Sequence, residues 1–207
     1  MEAVRAIQNG LANVGPASEE AVLVAELQAG SDEAYDYVLS LYRSPVYRLA
    51  AHILGNEYDA ADVLQNVFVK VVRGIGQFHG QSSLKTWMYR IAVREALNYR
   101  RGWFRRHVHE PFSLDEDSGE PIAALAERPD FTDPYETLQQ AERQQLVKTA
   151  LEGLPVLYRT VLLLREIEEL SYEEIAQVLG IADGTVKSRL MRGRELLRRR
   201  LSSVLGY

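Results

Sequence analysis

Apolar residues recur at steps of three and four along most of this chain, and this spacing constrains the fold more than any other feature. In one stretch they fall at Leu64, Val67, Phe68, Val71 and Val72, which share one side of an α-helix at 100° per residue. No alternating apolar run is long enough to indicate a β-strand. With 207 residues, 46% of them apolar, the chain can bury a substantial core. The sequence therefore predicts an all-α protein.

Composition divides the chain into four segments. Residues 1–17 show no clear periodicity and are expected to form a flexible N-terminal extension. Residues 18–103 and residues 134–207 each carry a complete set of amphipathic helices, which predicts two small helical domains. Residues 104–133 between them are rich in proline and carry eight Asp or Glu against three Lys or Arg. The charge of this segment, −5, equals the net charge of the whole chain. This segment is predicted to be a flexible acidic linker.

Capping residues predict where the helices of the first domain begin. Ser18, Ser31, Asn56 and Ser83 each stand before an amphipathic run, and their side chains can accept hydrogen bonds from the free N–H groups of a first turn. Pro45 lies inside the second of these runs and is expected to kink or break the helix.

A short helix, a turn and a longer basic helix are predicted in the second domain. Ser171 and Glu174 have the spacing of a capping box, Gly180 should end the short helix, and Asp183 should begin the next. This layout is a helix-turn-helix, whose second helix reads duplex DNA. Val186, Leu190, Gly193 and Leu197 fall on its inner side, and Arg189 and Arg194 are expected near phosphates. The residues predicted to contact DNA are Gly184, Thr185, Lys187, Ser188, Arg189, Met191 and Arg192.

From about Glu20 to Leu201 the sequence resembles the extracytoplasmic-function group of sigma-70-type bacterial sigma factors. Residues 59–68, Asp-Ala-Ala-Asp-Val-Leu-Gln-Asn-Val-Phe, resemble the polymerase-binding helix of region 2 in that family. Residues 82–92 resemble its promoter-melting segment, and residues 184–190 resemble the start of the region 4 recognition helix. The linker leaves no room for region 1.1 or a folded region 3, which is typical of this group.

The resemblance implies a sigma factor that reads the minus-35 element as duplex DNA and melts the minus-10 element. Its expected partners are promoter DNA and core RNA polymerase, through a coiled-coil of the largest subunit and the flap of the second, and an anti-sigma factor is left open. The residues implied for the minus-10 element are Gly74, Phe78, His79, Trp87, Arg90, Ile91, Arg94 and Asn98. Those implied for polymerase binding are Asp62, Gln65, Asn66, Val69 and Arg73.

Two of these aromatic residues have a second interpretation. Phe78 would stack on an extruded base, with Ile91 and Arg94 beside it and with Gly74 leaving room. From the pattern alone, however, the favoured interpretation of Phe78 is a loop anchor packed on the domain, and it is the resemblance that reverses this preference. The helical spacing of Trp87 favours a core position, with a role at the edge of the melted region left open.

Several other classes of function are excluded or disfavoured. The chain has no cysteine, which excludes disulfides, thiolate metal sites and cysteine nucleophiles. His107 and His109 are expected to be solvated linker residues, so we predict no metal site, no cofactor and no enzymatic activity. Because no secretion signal or membrane span is recognisable, a cytoplasmic protein is expected, associated with the nucleoid when bound to polymerase. The alternative is a dimeric helix-turn-helix regulator with an N-terminal interaction domain.

Overall fold

A computed structural model describes residues 16–107 and 144–205, and within these ranges the regular structure is helical, without strands. The predicted all-α fold is thus confirmed. The first domain contains α1 (Pro16–Gln28), α2 (Asp32–Leu54), α3 (Glu57–Gly74) and α4 (Leu84–His107), with a 3₁₀ turn at Ile75–Gln77. The second contains α5 (residues 144–152), α6 (Val156–Leu162), a π-helical turn (Leu163–Ile167), α7 (Tyr172–Leu179) and α8 (Asp183–Leu205).

Three of the four predicted helix starts in the first domain are confirmed by their capping bonds. Ser31 Oγ accepts a hydrogen bond from the backbone N–H of Ala34, and Asn56 Oδ1 accepts one from Tyr58. Ser83 Oγ likewise accepts from the N–H of Thr86. Helix α1 begins at Pro16, two residues before the predicted Ser18, because proline suits the first turn of a helix, where its missing N–H costs nothing.

The expectation that Pro45 kinks or breaks the second helix is wrong in its stronger form, because α2 runs without interruption from Asp32 to Leu54. Val38 and Val46, on either side of the proline, are both buried, so core packing holds the two halves together. The carbonyl that loses its helical N–H partner belongs to Leu41, an exposed residue, where water can hydrate it.

Helices α2, α3 and α4 pack on one another to form the core of the first domain. The contacts bury Ile53 of α2, Val67 of α3, and Met88 and Ala92 of α4, each at most 1% exposed. This interior is largely aliphatic and closely packed. It fixes the orientation of α3 and α4, the two helices with predicted binding residues.

The two domains pack directly against each other, and their buried residues form one continuous apolar cluster. Helix α4 lies against α7, Lys148 of α5 pairs with Glu57 at 2.7 Å, and Arg159 of α6 donates to the carbonyl of Ile53. Two domains joined by a linker were predicted from the sequence, but nothing in the local pattern indicates this interface.

The boundary of the predicted linker also needs correction. Helix α4 continues to His107, so residues 104–107 belong to a helix rather than to the linker. Residues 1–15, residues 108–143 and the last two residues, which include most of the linker, lie outside the described residues. None of the helices within 16–107 and 144–205 combines the length and the apolar character that a membrane span requires.

Candidate nucleic-acid interface

The helix-turn-helix of the second domain has the predicted local geometry. Ser171 Oγ accepts from the N–H of Glu174 at 3.1 Å, and the N–H of Ser171 donates to Glu174 Oε2 at 2.8 Å, which completes the capping box. Gly180 ends α7 with φ 64°, a left-handed conformation that glycine adopts without steric cost. Helix α8 begins at Asp183, as predicted.

Helix α8 has one buried and one exposed face. Val186 and Leu190 are buried, and Gly193 lies so close to α6 that a Cβ there would stand 3.1 Å from Leu162 Cδ1. The opposite face is open, with Met191 65% exposed. The residues of the predicted reading set that are exposed are Gly184, Lys187, Ser188, Met191 and Arg192, while Thr185 and Arg189 are half-buried.

Arg194, expected near phosphates, is paired within the domain in this structure. Its Nη2 lies 2.7 Å from Glu166 Oε1, and this hydrogen bond raises the pKa of the guanidinium. Both side chains are about half exposed, and ion pairs in such positions contribute little stability. A DNA phosphate could therefore replace Glu166 at small cost.

Phe78 does not offer the open stacking surface that the resemblance implied. Its side chain is only 7% exposed, and its ring centroid lies 5.2 Å from that of Trp87. Gln28 Nε2 holds the same turn by donating to the carbonyls of Phe78 and Ile75. An extruded base cannot reach the buried ring in this conformation, so the anchor interpretation describes the position of Phe78.

Gly74 provides space for Trp87 rather than for a DNA base. A Cβ built on Gly74 would lie 3.3 Å from Trp87 Cζ2, closer than ordinary van der Waals contact. Trp87 itself is partly buried and packs against the core, as its spacing favoured. His79 is exposed on the following loop, and Ile91 is half-buried on α4.

Four polar residues, Arg90, Arg94, Asn98 and Arg101, follow at steps of four, four and three along α4, and the second domain covers part of this stripe. Arg94, Asn98 and Arg101 are exposed, and Arg101 Nη2 donates to Asn98 Oδ1 at 2.8 Å. Arg90 instead donates from Nε to the carbonyl of Gln177 on α7, at 3.1 Å. Arginines 90, 94 and 101 line one wall of a cavity of about 200 Å³, and the C-terminal end of α7 forms the other.

The residues implied for polymerase binding lie together on the outer face of α3. Asp62, Gln65, Asn66, Val69 and Arg73 are all exposed. Beside them, α2 and α3 form an apolar groove of about 480 Å³, whose lining residues include Leu39, Arg43, Leu64, Phe68, Val69 and Val72.

The apolar stripe of α3 is thus wider than the core needs. Val72 was grouped with the inward residues by its spacing but is 52% exposed at this groove. Val69 beside it is 40% exposed, so this groove presents apolar side chains that the core of the domain does not bury.

Comparison with known families identifies both domains. Residues 38–105 match the Sigma-70 region 2 family, and residues 144–197 match the Sigma-70, region 4 family. The ECF RNA polymerase sigma-E factor of Haemophilus influenzae is 32% identical over 183 residues, covering 88% of this chain and 95% of that protein. The RNA polymerase sigma-H factor of Pseudomonas aeruginosa is 34% identical over 184 residues, or 88% and 94% of the two chains.

The chain belongs to the extracytoplasmic-function group of the sigma-70 family. Sigma factors are DNA-binding initiation factors that direct promoter-specific transcription by RNA polymerase, and the predicted family and function are thereby confirmed. The match to both regions, in order, disfavours the alternative of a dimeric helix-turn-helix regulator.

Solved structures share the fold of this sigma factor. CnrH in complex with the cytosolic domain of CnrY aligns with a TM-score of 0.63 at 21% identity, covering 89% of this chain and 97% of that chain. The sigma factor RpoE of Bartonella quintana, in complex with the anti-sigma factor NepR, aligns with a TM-score of 0.63 at 24% identity, covering 81% and 96%.

Sequence reasoning missed the buried contact of Glu168 with α4. Its Oε2 accepts a hydrogen bond from the phenol of Tyr89, and both side chains are buried. Burial raises the pKa of the Glu168 carboxyl, and the bond from Tyr89 partly opposes this shift. No local pattern marks a contact between residues 79 positions apart in different domains.

The histidines expected in the linker, His109 and the side chain of His107, lie outside the described residues. In the part of the chain that the structure covers, no three His, Cys, Asp or Glu residues come together as metal ligands would.

Proposed function

We propose that this sigma factor reads the minus-35 element with α8, holds the melted minus-10 strand against α4, and binds core RNA polymerase through α3. The observation that carries the proposal is the division of α8, where Val186 and Leu190 are buried and Lys187, Met191 and Arg192 point outward. A helix anchored in this way presents the same few side chains to the major groove.

On α8, different residues serve affinity and specificity. Lys187, Ser188 and Arg192 carry donors that can bond base edges, and Met191 can contact a thymine methyl group. Gly184 and Thr185 lie in the first turn, at the positive end of the helix dipole, which favours a nearby phosphate. Arg189 and Arg194 stand beside the reading face and would contact the DNA backbone, which sets position and salt dependence.

For the minus-10 strand, the accessible polar residues carry the proposal. Arg94 and Asn98 on α4 and His79 on the preceding loop are exposed and can bond a single strand through phosphates and base edges. Arg90 and Ile91 would join them once the second domain moves away. Gly74, Phe78 and Trp87 support this surface through their packing.

The α3 groove is proposed as the polymerase contact. A helical hairpin such as the coiled-coil of the largest subunit can lay an apolar face into it, while Asp62, Gln65, Asn66 and Arg73 form a polar rim around Val69. The second domain, residues 134–207, would dock on the flap. An anti-sigma factor is a further proposed partner, since the related folds of CnrH and RpoE were solved with proteins bound to them.

In this proposal the polymerase supplies all the chemistry of RNA synthesis. The chain acts by binding alone, as an initiation factor rather than an enzyme, and needs neither metal nor cofactor. It would work wherever the core polymerase is, in the cytoplasm and at the nucleoid.

Run-off transcription with purified core polymerase tests this function. Genomic fragments incubated with core and this protein should yield transcripts from a limited set of start sites that share two upstream elements. Core alone should not produce them. Arg192→Ala should change the set of start sites, whereas Arg198→Ala, another exposed arginine of α8, should not. Transcripts identical to those of core alone would contradict the proposal.

A further inference from the structure

Four hydrogen bonds cross from α4 to residues 168–177 of the second domain. Every donor belongs to α4 and every acceptor to the second domain, and the donors follow at steps of one, three and one, so they share one face of the helix. The bonds run from Lys85 Nζ to the Glu168 carbonyl at 2.7 Å, from Thr86 Oγ1 to Glu174 Oε1 at 3.0 Å, from the Tyr89 phenol to Glu168 Oε2, and from Arg90 Nε to the Gln177 carbonyl at 3.1 Å.

The acceptors resemble a nucleic-acid strand in their chemistry. Two are carboxylate oxygens and two are carbonyl oxygens, so a series of anionic and polar acceptors lies along a donor face that includes Lys85 and Arg90. In a single nucleic-acid strand, the phosphates and the base edges provide acceptors of the same two kinds. The face of α4 that they cover adjoins Arg94 and Asn98, the proposed strand contacts.

The contact at Glu168 is specific rather than a loose apposition of surfaces. Tyr89 is 1% exposed and Glu168 is 8% exposed, and the ammonium of Lys85 lies 5.9 Å from the centre of the Tyr89 ring. A buried carboxylate is costly unless it is hydrogen-bonded. The next residue, Glu169, has φ 56° and is the only non-glycine residue with positive φ in the described ranges, so the turn carries backbone strain while it presents Glu168 to α4.

We propose that residues 168–177 form an intramolecular competitor for the melted minus-10 strand, which covers the donor face of α4 until the two domains separate. This inference rests on the proposed role of α4 in strand binding. The strand and the second domain then bind α4 in mutually exclusive ways. Because only a small fraction of free molecules is open, the apparent affinity of the free chain for the strand is lowered in proportion to that fraction.

The other two proposed surfaces are not covered in the same conformation. The five polymerase-binding residues of α3 and the outer face of α8 stay exposed while Arg90 is engaged. The closed chain can therefore meet polymerase or duplex DNA first. Strand capture becomes favourable once a partner has drawn the domains apart.

The closed contact can be measured by energy transfer, because the chain has no cysteine and labels attach only where cysteines are introduced. Asp36→Cys and Ser203→Cys place dyes on exposed positions of the two domains. Glu168→Lys should lower the transfer efficiency, because it sets a second positive charge beside Lys85. Glu169→Lys makes the same charge change on the exposed neighbouring residue and should leave the efficiency unchanged.

Strand binding is measured on the same proteins without polymerase. The probe is a fluorescent single-stranded oligonucleotide carrying the non-template minus-10 sequence of a promoter identified in the run-off experiment. Glu168→Lys should bind it about tenfold more tightly than wild type, and Glu169→Lys should match wild type. Tyr89→Phe removes only the phenolic oxygen, so it should lower the transfer efficiency and raise the strand affinity by smaller amounts than Glu168→Lys. This variant keeps the proposal testable if Glu168→Lys fails to fold.

Unchanged energy transfer in folded Glu168→Lys and in Tyr89→Phe would overturn the proposed contact. Reduced transfer with unchanged strand affinity would overturn the competition. Adding Arg94→Ala to Glu168→Lys then separates the two steps of the argument. If strand binding falls, α4 does bind the strand and only the competition is wrong, and if binding is unaffected, the proposed minus-10 role of α4 is wrong as well.

Discussion

The indole of Trp87 fills the space beside Gly74, where a Cβ would stand 3.3 Å from Trp87 Cζ2. Gly74→Val should therefore destabilise the first domain by about 1 to 3 kcal/mol through overpacking, measured by urea unfolding. Gly76 is the matched control, because a Cβ added there would meet nothing within 4 Å. Equal losses for Gly74→Val and Gly76→Val would contradict a specific packing role.

Phe78→Ala should act first on folding, because the ring is buried against Trp87. Removing a buried phenylalanine ring typically costs about 3 to 5 kcal/mol, so the free energy of unfolding should fall by that order. Open-complex formation should then decline to the same extent on duplex and premelted templates, as permanganate footprinting would show. Phe78→Leu should recover most of both properties. If Phe78→Ala had normal stability and formed fewer open complexes on duplex templates alone, Phe78 would instead be assigned as a base-stacking residue.

On α8, two arginines should have different effects on DNA affinity. Arg192→Ala should cost about 1 to 3 kcal/mol at one base position of the minus-35 element, because Arg192 lies on the exposed face. Arg189→Ala should weaken binding to all duplexes alike and reduce the slope of log K against log salt by about one unit. Fluorescence anisotropy on a panel of minus-35 variants measures both. A uniform loss for Arg192→Ala would show that the faces are assigned wrongly.

Polymerase binding should depend on the groove of α3. Val69→Asp places a charge beside the apolar lining and should weaken binding to core by about tenfold or more, since burying an unpaired carboxylate costs several kcal/mol. Leu41→Asp is the control, because Leu41 is exposed to a similar degree, 45% against 40%, but does not line the groove. Equal affinities of the two variants for core, by surface plasmon resonance, would rule out this surface.

His52 should make the stability of the chain depend on pH. Burial lowers its pKa below the ordinary 6.5, and the positive charges of Lys148, Arg159 and Arg48 add to the shift against the opposing effect of Glu57. Below pH 6.5 the unfolded chain takes up a proton that the folded chain refuses, so stability falls with decreasing pH until the lowered native pKa is passed. Urea unfolding at pH 7.5 and 5.5 should show a larger loss for wild type than for His52→Gln. The same loss in both proteins would assign the dependence to other groups.

What could be predicted from the sequence depended on how near a residue's partner lies along the chain. Ser31, Asn56 and Ser171 find their capping partners within three residues, so local patterns predicted those helix starts and the helix-turn-helix. Phe78 and Glu168 are positioned by packing and by a contact with the other domain. The local pattern allowed Phe78 to be interpreted as a loop anchor but could not identify Trp87 as its partner, and it did not indicate the interface on α4.

The π-helical turn between α6 and α7 has a consequence for how this chain can evolve. After its five residues, the N–H of Glu168 donates to the carbonyl of Leu163. This bond spans five residues rather than the four of a regular α-helix. A single-codon deletion there would rotate the following residue by about 100° relative to α6, turning Glu168 away from Tyr89. The sequences of the capping box and of α8 would be unchanged. Descendants of this gene could thus adjust how firmly the domains close without altering a residue that reads a promoter.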